Sequence, residues 1–187
     1  MWEDVEARLA ECGYLDIYRH STADARFPSF FHNPRGIHGV AHARRVLLLS
    51  MILACQQRLG RADTDILVKA SLYHDIGRTH DGICLEHGKN SFEKMMRLGL
   101  AGGGPGEENE ILRYVMENHC LPDDAAARNI TRYKINNKRR AVSLLWLFKD
   151  SDGLDRVRIG DLDIKYLRNP AAKQLAPLAR WLLEEIK

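Results

Sequence analysis

Ala70-Ser71-Leu72-Tyr73-His74-Asp75-Ile76-Gly77 is an apolar helical stretch that places an imidazole and a carboxylate side by side before a glycine. Nothing in core packing rewards that pair. A polar group taken out of water costs free energy unless it is hydrogen-bonded or coordinates a metal. The same association of His or Asp with an apolar helical segment recurs at His42 and Asp152, and His87 and His119 fall between the second and the last of these positions. Imidazole nitrogen and carboxylate oxygen suit zinc, manganese, iron and nickel. Donors drawn from several helices would meet in the middle of a helical domain, so the chain reads as a metalloenzyme.

The segments around this stretch are helical almost throughout. Residues 2–20 form an amphipathic opening interrupted at Gly13, and Phe27-Pro28-Ser29-Phe30-Phe31 with Asn33-Pro34-Arg35-Gly36 form a loop. A long apolar run extends from Ile37 to Leu59 and is expected to end at Gly60. Asp63 or Thr64 is the expected cap of the next helix, which carries the His-Asp pair. Residues 78–88 read as an active-site loop, followed by a helix from about Asn90 to Leu98 and a glycine-rich connector from Gly99 to Gly106. Glu107 to Asn118 is amphipathic and ends at His119, and Pro122 stops it. The basic stretch from Arg128 to Arg140 is either a solvated loop or an anion-steering rim. The last strong apolar run, Ala141–Phe148, leads to Asp152, and a terminal helix spans about Leu175 to Ile186. No alternation of strand type and no internal repeat is present. The expected fold is all-α, one domain over residues 1–187 with its motif core at about 37–160.

Bulk composition narrows the partners. The 187 residues carry a net charge of +3, which is compatible with an anionic substrate and, not being segregated into one long stripe, gives no argument for wrapping a nucleic acid. The four cysteines, Cys12, Cys55, Cys84 and Cys120, form no Cys-x-x-Cys pair and are expected as reduced thiols, with Cys84 and Cys120 near enough to His87 and His119 to leave a thiolate ligand as an alternative. With no basic leader ahead of Trp2-Glu3-Asp4 and no apolar run of membrane-spanning length, the expectation is a soluble, cytoplasmic protein.

His-x-x-Arg-Val at 42–46, His-Asp at 74–75 and Ser-Asp-Gly-Leu-Asp at 151–155 together resemble the HD superfamily of metal-dependent phosphohydrolases. Ser151 stands where that family carries alanine. The resemblance implies a helical bundle with the metal site at its centre, and His42, His74, Asp75 and Asp152 as the defining ligands. His87 and His119 match the two extra histidines of binuclear members, with Asp75 bridging two divalent transition ions. Iron or manganese come first, with zinc, nickel, cobalt and magnesium also admitted by the donor set. His38, four residues upstream, competes with His42 for the first ligand position; the Arg-Val after His42 matches the family pattern and favours His42, which leaves His38 as a hydrogen-bond partner or a helix-start residue. Asp155 and Arg156 form either a surface salt bridge or a support for the ligands. Asp75 is also the central catalytic residue, and Arg78 and Lys89 are the candidates for phosphate contact.

Three functions are open at this stage. The first is hydrolysis of a phosphomonoester or phosphodiester of a nucleotide-like or other small anionic substrate, with no membrane and no specific nucleic acid as partner and a homodimer left open. The second is a diiron oxygenase of the branch that includes myo-inositol oxygenase, which uses the same ligands. The third is a non-catalytic nucleotide-binding sensor.

Overall fold

The structure, a computed structural model, describes residues 2–102 and 106–187. Ten α-helices and no strand occur among them: α1 Trp2–Glu11, α2 Leu15–Thr22, α3 Val40–Gln56, α4 Arg61–Tyr73, α5 His87–Arg97, α6 Glu107–Asn118, α7 Asp123–Asn129, α8 Lys138–Leu154, α9 Pro170–Gln174 and α10 Ala176–Glu185. The all-α expectation holds. Residues 103–105 of the glycine-rich connector lie outside the described residues.

The organising element is α3. Apolar residues occupy nearly its whole circumference, as in a helix enclosed on all sides, and residues 45–54 are buried without a break. It packs against α4 and α8, with α1 and α10 covering its remaining faces, while α6 packs on α4 and α8 and carries α5 on its outer side. His42 lies on the first turn of α3, so the most buried helix of the molecule fixes the first candidate ligand.

Several boundaries differ from the sequence reading. Helix α3 begins at Val40 rather than Ile37, because Gly39 is extended and the Val40 amide donates to the Pro34 carbonyl at 2.9 Å. His38 therefore sits in the preceding turn and not on the helix. Gly60 caps α4 instead of ending α3, since Asp63 is engaged by Arg140 and the Thr64 hydroxyl by Tyr14 and the Gly60 carbonyl. Helix α5 starts at His87, three residues ahead of the expected Asn90. The expectation of four reduced thiols is also corrected. The end of α1 packs against α3, bringing the Cα atoms of Cys12 and Cys55 to 5.8 Å, and the two are disulfide-bonded. Cys84 and Cys120 are free.

No helix is long and apolar enough to cross a membrane among the described residues.

The end of α3 uses an unusual residue. The amides of Arg58 and Leu59 return to the carbonyls of Cys55 and Ala54, a Schellman closure with Arg58 in the left-handed region at φ 52°. Helix α1 closes the same way, with Gly13 at φ 72° in that position. A side chain in this conformation costs about 1–2 kcal/mol that glycine avoids, and Arg58 is exposed. Arg58→Gly is therefore expected to raise stability by about 1 kcal/mol, measured as a higher urea midpoint. An unchanged or lower midpoint would show that the Arg58 side chain makes a compensating contact.

Candidate metal centre

Helix C-termini deliver much of the site. Tyr73 ends α4, so His74 and Asp75 emerge from its last turn, and His119 is the corresponding cap of α6. Asp152 lies on the last turn of α8, while His42 and His87 come from the starts of α3 and α5. A close approach sets the α5–α6 spacing: a Cβ on Gly88 would sit 2.2 Å from the Met116 carbonyl oxygen, so only glycine allows α5 to lie this near α6.

Two groups of donor atoms meet at Asp75. In the first, His42 Nε2 lies 3.0 Å from His74 Nε2, 3.3 Å from Asp152 Oδ1 and 3.5 Å from Asp75 Oδ2, and His74 Nε2 lies 3.4 Å from the same Asp75 oxygen. In the second, His87 Nε2 lies 2.9 Å from His119 Nε2 and 3.2 Å from Asp75 Oδ1. Asp75 Oδ2 thus faces His42 and His74, and Oδ1 faces His87, with the Cys120 thiol a further candidate donor beside His87 and His119. All six residues expected from the sequence are brought together.

The outer nitrogens of the histidines decide what the inner ones can do. His42 Nδ1 donates to Asp155 Oδ2 at 2.7 Å, and His74 Nδ1 faces the carbonyls of Ala70 and Ser71. His87 Nδ1 donates to the Cys84 carbonyl and His119 Nδ1 to that of Met116, at 2.5 and 2.7 Å. Carbonyl and carboxylate oxygens only accept, so every Nδ1 keeps its proton. In neutral imidazoles each Nε2 then presents a lone pair to the centre.

The electrostatics agree. Burial and the charge of Arg158 both disfavour a proton on His42, yet its bonds to Asp152, Asp155 and Asp75 outweigh them and take its pKa up to about 10. Burial alone would raise Asp75, but the charge of His74 and hydrogen bonds from His38, His42 and His74 hold it well below the usual carboxylate range. Burial likewise opposes ionisation of Asp152, and His42 outweighs it. Burial, with His87 and His74 nearby, keeps His119 well below the ordinary histidine range, and burial lowers His87 against the pull of Asp75. The first group thus attracts positive charge, and the second presents two neutral imidazoles with opposed lone pairs. The donor set fits a divalent cation.

A second layer holds these side chains. Asp155 is fully buried and receives, besides His42, a two-pronged bond from Arg45 at 2.6 and 3.0 Å. His38 Nδ1 lies 2.8 Å from Asp75 Oδ2, which settles its role as a hydrogen-bond partner although it lies outside the helix. Arg156 pairs with Asp161 at the surface, so of the Asp155-Arg156 pair only Asp155 supports a ligand. The Ser151 hydroxyl bonds the Leu147 carbonyl at 2.9 Å, which accommodates the serine in place of alanine.

Of the candidate ligands, Asp75, His87, His119 and Asp152 open onto a cavity of about 400 Å³. Arg78 lines it with its Nε 2.6 Å from Asp75 Oδ1 and Nη2 3.4 Å from His87 Nε2. Lys89 does not belong to the site. Because α5 starts early, Lys89 lies two residues into a helix whose buried face carries His87 and Ser91, and it is exposed outside the cavity. The anion-rim reading of residues 128–140 is likewise not realised: Arg128 pairs with Asp124 and Arg140 with Asp63, both away from the cavity. Sequence reasoning missed Arg158, which lines the cavity and bonds the Ile37 carbonyl at 2.7 Å. It also gave no role to Arg45, although the motif contains it. His20, His32 and His80 are exposed.

Residues 39–157 match the family model described as HD domain, well over half of the chain and close to the span of the motifs. The chain belongs to the HD-domain family. No curated protein and no solved structure matches it. Members of the HD family are in general metal-dependent hydrolases.

The buried relay from Arg45 through Asp155 to His42 has a measurable consequence. Removing a partner that orients a metal-binding histidine weakens metal binding about 10–100-fold. Asp155→Asn should show a loss of that size in a competition titration against a chelating dye, with Asp65→Asn as a surface control. Wild-type affinity in Asp155→Asn would mean that the relay serves packing alone.

Proposed function

We propose that the protein is a phosphohydrolase whose site holds two divalent transition ions and cleaves a phosphoester of a small anionic substrate. The observation that carries this reading is the meeting of His87 and His119. Their Nε2 atoms face each other at 2.9 Å, both Nδ1 protons are committed to carbonyls, and the third neighbour, Asp75 Oδ1, is itself an acceptor. Three acceptors at this spacing are stabilised by a cation, and the equivalent group around His42, His74, Asp75 Oδ2 and Asp152 makes the same demand. His42, His74 and Asp152 would hold one ion, His87 and His119 the other, with Asp75 shared.

Such a pair, when bound, lowers the pKa of a coordinated water and neutralises charge on phosphoryl oxygens. The chain contributes the rest. Asp75, held by His38 and Arg78, keeps Oδ2 aimed at His42 and His74 and Oδ1 at His87. Arg78 places a guanidinium beside the site, the group best suited to grip a phosphoryl in a fork, and Gly82 anchors its other end through a carbonyl at 3.0 Å. Lys89 has no part in this.

Phosphate release from phosphoesters is expected to require manganese, iron or another transition ion, and to vanish in Asp75→Ala while the circular-dichroism signal of the helices persists. Robust turnover after complete chelation would contradict the proposal. Oxygen uptake in the iron-loaded protein without phosphate release would point instead to the oxygenase branch.

A further inference from the structure

Eight large apolar side chains are exposed among the described residues, and four of them, Ile37, Ile83, Leu85 and Ile159, line a cavity onto which Asp75, His87, His119 and Asp152 also open. They arrive from three separate segments: the turn before α3, the loop between α4 and α5, and the 3-10 turn Asp155–Ile159 that follows α8. Single exposed apolar residues are ordinary on a protein surface. Half of them line one cavity and make part of its wall apolar. Ile83 is the extreme case at 97% exposure, with most of its side chain in contact with water.

The charged residues of the cavity point the same way. Arg156 is paired with Asp161 and Arg78 with Asp75, while Arg158 lies 3.7 Å from Asp155, a carboxylate that Arg45 already holds at 2.6 Å. Arg78 and Arg158 suffice for one phosphoryl group, and the cavity lining holds no further arginine or lysine free of a carboxylate for a longer polyanion. The volume, about 400 Å³, is that of a small-molecule site.

We propose that the cavity takes a substrate with a single phosphoryl group joined to an apolar alkyl or aryl body, and that Ile83 and Ile159 set this preference by covering that body. The phosphoryl half rests on the phosphohydrolase reading above. The apolar half rests on the rim alone.

The test pairs turnover with binding. Methyl, butyl and hexyl phosphate serve as substrates, and the matching alkylphosphonates, which have no ester bond to cleave, are titrated calorimetrically into the metal-loaded protein. Transfer of each methylene from water to an apolar wall corresponds to about threefold to fourfold, so kcat/KM and phosphonate affinity should both climb by about that factor per methylene over the first few carbons. In the double variant Ile83→Ser/Ile159→Ser, which changes only exposed side chains, the hexyl-to-methyl ratio should fall by at least about tenfold. A flat dependence on chain length overturns the proposal. So does a slope that survives in the double variant. Phosphonate binding that follows chain length without hydrolysis of any ester would refute the hydrolase reading and leave the apolar preference standing.

Discussion

Four imidazoles and two carboxylates turn acceptor atoms toward one another in the interior of this protein, and that shortage of protons shapes the structure around them. Left to themselves, such atoms repel and lose their hydration, a cost of several kcal/mol for buried polar groups without partners. In the metal-free chain a proton on His42, favoured by three carboxylates, relieves the first group. Burial holds both imidazoles of the His87–His119 pair neutral, and the guanidinium of Arg78 reaches His87 Nε2 at 3.4 Å. The donor set fits a divalent cation.

The helices around it supply both rigidity and field. The C-terminal ends of α4, α6 and α8 bring His74, His119 and Asp152, and the negative end of a helix dipole favours a cation by about 0.3–1 kcal/mol. The starts of α3 and α5, which bring His42 and His87, carry the opposite sign and favour an anion nearby. The apolar burial of α3 secures the geometry, and the salt-bridged Arg45–Asp155 unit ties His42 to the far end of the chain through the Ile186 carbonyl.

Much of this could be read from residues alone, for a physical reason. A histidine or aspartate inside an apolar helical run conflicts with burial, so His42, His74, Asp75 and Asp152 stand out locally, and the resemblance to the HD motifs groups them. His87 and His119 are legible as ligands only through that resemblance, since a histidine beside an amphipathic helix or at its end is ordinary. What could not be read depended on three-dimensional proximity. Lys89 looked like a loop cation until α5 proved to start at His87, which turned it to solvent. Arg45 and Arg158 resembled ordinary helix and loop arginines, because their partner Asp155 becomes buried only when α3, α8 and α10 pack together. The Cys12–Cys55 pair, 43 residues apart in sequence, was invisible for the same reason.

The most direct test is an anomalous-scattering map from crystals grown with manganese. The account predicts two peaks flanking Asp75, one bounded by His42, His74 and Asp152, the other by His87 and His119. A single peak in the first position, with His87 and His119 hydrogen-bonded to each other through a proton, would contradict it.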